Sequence, residues 1–193
     1  MTALRFRLLA LLAAMLSAPA VAAAGWNLDS LMQHLAANAG GRVQFEETRH
    51  LAILDQPLRA TGELVYIAPA RLERHTETPV RESMVLDGDT LTLTREARTH
   101  TLSLRDYPEA AALIDSIRAT LAGDLAALQR TYAVSLAGSE QAWTLDLLPA
   151  DPQIAQVVLR ITIRGSGAVV RGVVILQADG DRSSMKIAPP DAK

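Results

Sequence analysis

The 193-residue chain contains no cysteine. That excludes disulfides, cysteine-based zinc sites and thiol catalysis, and equally a lipid-modified N-terminal cysteine on the protein itself. Aromatic residues make up only 4% of the chain, so its oily content is mostly Leu, Ile, Val and Ala. The 19 basic and 21 acidic residues form no stripe of one sign, which leaves no electrostatic footprint for nucleic acid. His34, His50, His75 and His100 are scattered, with no His-x-x-x-His pair and no second ligand at metal spacing, so no metal site is expected. Asp87-Gly88-Asp89 and Asp179-Gly180-Asp181 lack the acidic series of a calcium cage and read as turns. Ser166, between two glycines, reads as a hairpin tip rather than a nucleophile elbow. Glu46 and Glu47 are adjacent, so on a strand they point to opposite faces and cannot act as a carboxylate pair. With no catalytic constellation and no cofactor motif, the expectation is a non-enzymatic protein without a cofactor.

No apolar run is long enough to span a bilayer. The longest, Leu8 to Leu16, follows Arg5 and Arg7 and precedes the small residues Ser17 to Ala24, the pattern of a cleavable signal peptide over residues 1–24. Cleavage after Ala22 or after Ala24 satisfies the small-x-small rule. About 169 residues then remain, enough for one domain with a proper core over 25–193. The periplasm is the expected destination.

What is present is a succession of short strands. Asn27 is a good N-cap, and Leu28, Leu31, Met32 and Leu35 fall on one helical stripe that Gly40-Gly41 should end. Strands are then expected at Arg42 to Leu51 (Val43, Phe45 and Glu47 on one face), Leu58 to Ala68, Leu72 to Thr76, Arg81 to Leu86, Thr90 to Thr94 and Thr99 to Leu104. From Tyr107 to about Tyr132 the period becomes helical, broken at Gly123-Asp124, with Leu113, Ile114, Ile117 and Leu121 on one stripe. Strands return at Ala133 to Leu136, Trp143 to Leu148, Val157 to Arg164, Val169 to Gln177 and Arg182 to Ile187, with turns at Gly165-Ser166-Gly167 and Asp179-Gly180-Asp181. Roughly ten strands with helices at the start and in the middle predict a mainly β (α+β) fold, one long antiparallel sheet that curls under covering helices. Some strands alternate and others are apolar at every position, which means that something oily covers both faces. Periodicity leaves open whether the curl encloses a core or a cavity.

Phe45-Glu46-Glu47, then Gly62-Glu63-Leu64, Tyr66, Pro69, Leu72, Pro79 and Leu86-Asp87-Gly88 with Leu91 resemble the outer-membrane lipoprotein carrier family LolA. Arg118 to Asp124, Trp143-Thr144-Leu145 and Gly180 to Met185 are similar to a divergent branch of it. The resemblance covers essentially the whole chain after the leader and rests on the order and spacing of short motifs. It implies an unclosed, strongly curled antiparallel β-barrel of LolA/LolB type, with an N-terminal helix and mid-chain lid helices over an apolar cavity. It implies a monomeric periplasmic carrier that takes an acylated lipoprotein or lipid cargo from an inner-membrane exporter to an outer-membrane acceptor. Phe45, Leu64, Tyr66, Leu72, Leu91, Leu113, Ile117, Leu121 and Trp143 are then the expected cavity residues, although a tightly packed core would use the same side chains. A LolA-fold module that recognises a protein or peptide is the alternative.

The chain departs from the family pattern at the latch. Where LolA has an arginine before a proline that ties down the lid, this sequence has Ala68; where LolA has an aromatic, two residues past Leu72, it has Arg74. Two readings of Arg74 follow. It reaches the helices from the neighbouring strand and replaces the latch, or it lies on the solvated rim. The departure leaves open a free lipid or polyene cargo beside a lipoprotein.

Overall fold

Asn27 sets the first helix, α1 (Leu28–Ala36), with a reciprocal cap: its side-chain oxygen accepts from the Ser30 amide, and Ser30 Oγ accepts from the Asn27 amide, both at 2.9 Å. The helix stops before the glycine pair, and Gly40 instead opens the first strand. In this computed structural model, residues 25–38 and 40–189 are described. The leader expected over 1–24, and the tail beyond Pro189, lie outside the described residues.

Six strands follow as a meander: β1 (Gly40–His50), β2 (Leu58–Ile67), β3 (Arg71–Thr78), β4 (Glu82–Asp87), β5 (Thr90–Arg95) and β6 (Arg98–Ser103). A 3-10 turn at Leu104–Asp106 leads into α2 (Pro108–Ala122) and α3 (Leu125–Thr131). The chain then returns through β7 (Tyr132–Ser139), β8 (Ala142–Pro149), the one-turn helix α4 (Pro152–Ala155), β9 (Val158–Ser166), β10 (Val169–Gln177) and β11 (Arg182–Ile187). Helix α4 escapes periodicity because a single turn has no period to read; only the Asp151 cap ahead of Pro152 marks it. Between α2 and α3, Gly123 takes φ of 68° as a left-handed C-cap, with its amide on the Ala119 and Thr120 carbonyls.

Among the described residues, the eleven strands form one antiparallel sheet in the order β6-β5-β4-β3-β2-β1-β11-β10-β9-β8-β7. The sheet is therefore mainly β and unclosed: β6 and β7 end it on opposite sides, although they are neighbours in sequence. The segment joining them is α2 and α3. A lid over the opening thus follows from the connection itself, because the chain leaves one edge and must cross to the other.

The interior divides into two halves. One cluster of fully buried side chains joins Leu31, Met32 and Leu35 of α1 to Leu128, Tyr132, Trp143, Leu145, Leu147, Ile154, Val158, Ile161 and Ile163. It fills the space between the helices and β7–β9. At its centre Trp143 is 1% exposed, and its Nε1 donates to the Gly167 carbonyl at 2.9 Å. Gly165, opposite Trp143 in the ladder, leaves the indole its room, since a Cβ there would overlap the ring and the Val169 carbonyl. Over β2–β5 and β10–β11 the arrangement is different.

Candidate functional site

Register places one face of the sheet under α2. Val43 lies opposite Leu64, Leu64 opposite Arg74 and Arg74 opposite Met84, while Tyr66 faces Leu72, Leu72 faces Leu86 and Leu86 faces Leu91. Side chains directly across a ladder share a face. The row continues through Val173, Met185 and Ile187 on the far side of β1. Together with α2 this face encloses a cavity of about 620 Å³, within the range of sites that hold a small organic ligand.

Helix α2 is buried the wrong way round for a core helix. Its buried residues are Ser116, Ala119 and Thr120, small or polar. Ser116 Oγ donates to the Leu113 carbonyl at 2.6 Å and Thr120 Oγ1 to the Ser116 carbonyl at 2.7 Å, which satisfies both hydroxyls within the helix. The apolar stripe Leu113, Ile114, Ile117 and Leu121 is only half-buried and lines the cavity. A helix that turns its leucines and isoleucines to an unfilled space leaves apolar surface without a protein partner.

Of the nine residues singled out from the sequence as cavity wall, Leu64, Tyr66, Leu72, Leu91, Leu113, Ile117 and Leu121 line this space. Phe45 and Trp143 do not. Trp143 belongs to the filled half, among β7–β9, where α1 and α3 supply its neighbours. Phe45 lies on the correct face but is 2% exposed, because the Arg74 guanidinium covers its ring, 4.5 Å from the centroid.

The hydrogen bonds of Arg74 stay within the sheet. Its Nη2 donates to Glu47 Oε2 at 2.7 Å and its Nε approaches Thr76 Oγ1 at 3.3 Å, with the side chain 19% exposed. Glu47, 4% exposed, also accepts from Ser183 Oγ at 2.6 Å and from Arg49 Nε at 3.0 Å. The sequence held a signal for this partner: Glu47 alternates onto the same face as Val43 and Phe45, and a carboxylate on an apolar face needs a cation. Burial pushes the Glu47 carboxyl up, but the hydrogen bonds from Arg74, Ser183 and Arg49 outweigh it and hold the group below the usual carboxylate range.

A pH effect follows. Because Glu47 keeps its charge to lower pH folded than unfolded, it contributes stability that is present above the ordinary carboxylate value of about 4. That contribution is lost as pH falls through the depressed folded value. Glu47→Gln is expected to lower stability at neutral pH by about 3 kcal/mol and to flatten the loss between about pH 5 and 3. Urea midpoints across that range check it, and curves for variant and wild type that stay parallel would refute it.

Among the described residues, two side chains tie α2 to the sheet, and sequence reading gave neither of them this role: Tyr132 Oη, on β7, donates to the Ala112 carbonyl at 3.2 Å. Arg118 Nη1, on α2, donates to the Gly88 carbonyl in the β4–β5 turn at 3.2 Å and lies 3.2 Å from Asp115 Oδ1. Tyr66 sits nearby: its hydroxyl donates to the Pro69 carbonyl at 3.1 Å. Burial pushes that phenol up while the Arg118 charge opposes the shift. Among the described residues, no three His, Asp or Glu side chains gather to share a metal ion.

The family model described as outer membrane lipoprotein carrier protein LolA-like matches residues 20–190. No curated protein matches the sequence significantly. Solved structures similar to this chain include a LolA superfamily protein from Nitrosomonas europaea, at 9% identity and TM-score 0.46, covering 87% of this chain and 96% of the other. The complex of MucA and MucB from Pseudomonas aeruginosa is another, at 12% identity and TM-score 0.45, covering 86% of this chain and 59% of the other. An outer membrane lipoprotein-sorting protein domain from Vibrio parahaemolyticus gives 9% identity and TM-score 0.42, covering 86% and 90%.

Proposed function

The chain belongs to the family of LolA-like outer membrane lipoprotein carrier proteins, and on that premise we propose that it shields acyl chains of a lipoprotein or lipid in the cavity under α2 and delivers them towards the outer membrane. One observation carries this reading: the apolar stripe of α2 is only half-buried and faces an apolar sheet wall across a cavity of about 620 Å³. Each methylene moved from water into such a space contributes ~0.8 kcal/mol, so a chain of ~14 carbons contributes about 10 kcal/mol. No chemical step is needed for that task. The leader read in residues 1–24 fits export to the periplasm, where cargo comes from an inner-membrane exporter and passes to an outer-membrane acceptor. Native mass spectrometry of protein purified from its own host tests the proposal. Acyl-bearing adducts are expected, and a bare chain that also fails to take up added fatty acid would end it.

Release requires the lid to move, and the Arg118 hydrogen bond to Gly88 is one of the contacts that would have to break. A hydrogen bond from a charged group contributes roughly 1.5–3 kcal/mol, less where geometry is long. Arg118→Ala is therefore expected to speed acyl dissociation about three- to tenfold, read by stopped-flow displacement of a fluorescent fatty acid. An unchanged rate would remove Arg118 from the release step.

A further inference from the structure

Apolar cavities seldom carry charge on their walls, because taking an ion pair out of water is costly. The wall of this cavity carries six charged side chains, Glu47, Arg49, Glu73, Arg74, Asp181 and Arg182. Glu73 pairs with Arg71, while Glu47 pairs with both Arg74 and Arg49. Within that cluster two guanidiniums share one carboxylate, so one positive charge is left over. Arg74, Arg49 and Ser183 take three of the roughly four acceptor sites of the Glu47 carboxylate.

The arginines do have donors in reserve. A guanidinium has five N–H groups, and Glu47 and Thr76 engage only Nη2 and Nε of Arg74. The third Arg74 nitrogen is engaged by neither partner, and the residue lines the cavity. Stacking on Phe45 fixes the plane of the Arg74 fork. Arg49, two residues beyond Glu47 on the same face of β1, is 51% exposed and also lines the cavity. The rest of the wall includes the apolar Leu64, Leu72 and Leu91, with Ile117 from α2.

The geometry points to a seat for an oxyanion headgroup at Arg74 and Arg49, so that the cargo is an amphiphile bearing a carboxylate or phosphate, with its acyl chain running under α2. This rests on the carrier reading and adds to it the polar end of the ligand. A planar fork held in place suits a carboxylate or phosphate, which it meets with two parallel bonds. The Glu47 carboxylate keeps Arg74 in position and lowers the charge without cancelling it.

Calorimetric titration with laurate, dodecyl phosphate and dodecanol tests the seat, since the three share a chain and differ in headgroup. Laurate or dodecyl phosphate is expected to bind at least tenfold more tightly than dodecanol, and whichever oxyanion is preferred identifies the headgroup. Arg74→Gln should reduce the oxyanion-to-dodecanol affinity ratio about tenfold, and Arg49→Gln about threefold. Arg49 is half-exposed, so its variant carries the test should Arg74→Gln fail to fold. Dodecanol binding as tightly as both oxyanions, or ratios unmoved in the folded variants, overturns the headgroup seat and leaves the carrier reading standing. Failure of all three to bind overturns both.

Discussion

Ile117→Asp is expected to weaken acyl binding by at least about 100-fold while the protein still folds. Ile117 projects from α2 into the cavity and is only half-buried there. It is not among the side chains packed against the buried cluster of α1, α3 and β7–β9. An aspartate at this position therefore meets no core that it could disrupt, and on an empty protein it can remain hydrated. Filling the cavity with an acyl chain would strip that water away. The carboxylate then pays its desolvation, and several kcal/mol oppose binding. Thermal unfolding close to wild type, together with a lost response to laurate and to dodecanol, is the expected pair of results. Binding within a few-fold of wild type would show that the acyl chain lies elsewhere.

Trp143→Ala should behave in the opposite way. Removing a fully buried indole costs about 3–5 kcal/mol, and here it also strands the Gly167 carbonyl that Nε1 serves. The void opens beneath Gly165, where a backbone without a Cβ had made space for the ring. Urea unfolding is expected to show that full loss, whereas the folded fraction binds laurate within a few-fold of wild type. A variant of normal stability with impaired binding would return Trp143 to the cavity wall.

The two substitutions separate the halves of one interior, and neither half is distinguishable by composition. Leu145 and Leu147 alternate along β8 just as Leu64 and Tyr66 do along β2, and both rows face inwards. What differs is which helix lies above. Helices α1 and α3 fill the space over β7–β9 with leucines and a methionine, while α2 spans the rest and offers it only one stripe.

Most of the fold was legible along the chain. The Asn27 cap, the meander from β1 to β6, the helical stretch broken at Gly123-Asp124 and the returning strands are local: a side chain bonds its neighbouring amide, or apolar residues recur at the period of one element. The apolar stripe of α2 and the alternation of Leu64, Tyr66, Leu72 and Leu91 likewise follow from spacing alone. Three matters were decided only when the sheet curled. Arg74 turned across Phe45 to Glu47 rather than to the helices, because Glu47 lies 27 residues away in sequence and only strand register brings the two together. Arg118 reached the Gly88 carbonyl for the same reason, from 30 residues away. Last, sequence sets which residues turn inwards, but a helix and a sheet fill or fail to fill the space between them according to their distance and tilt, which no periodicity encodes.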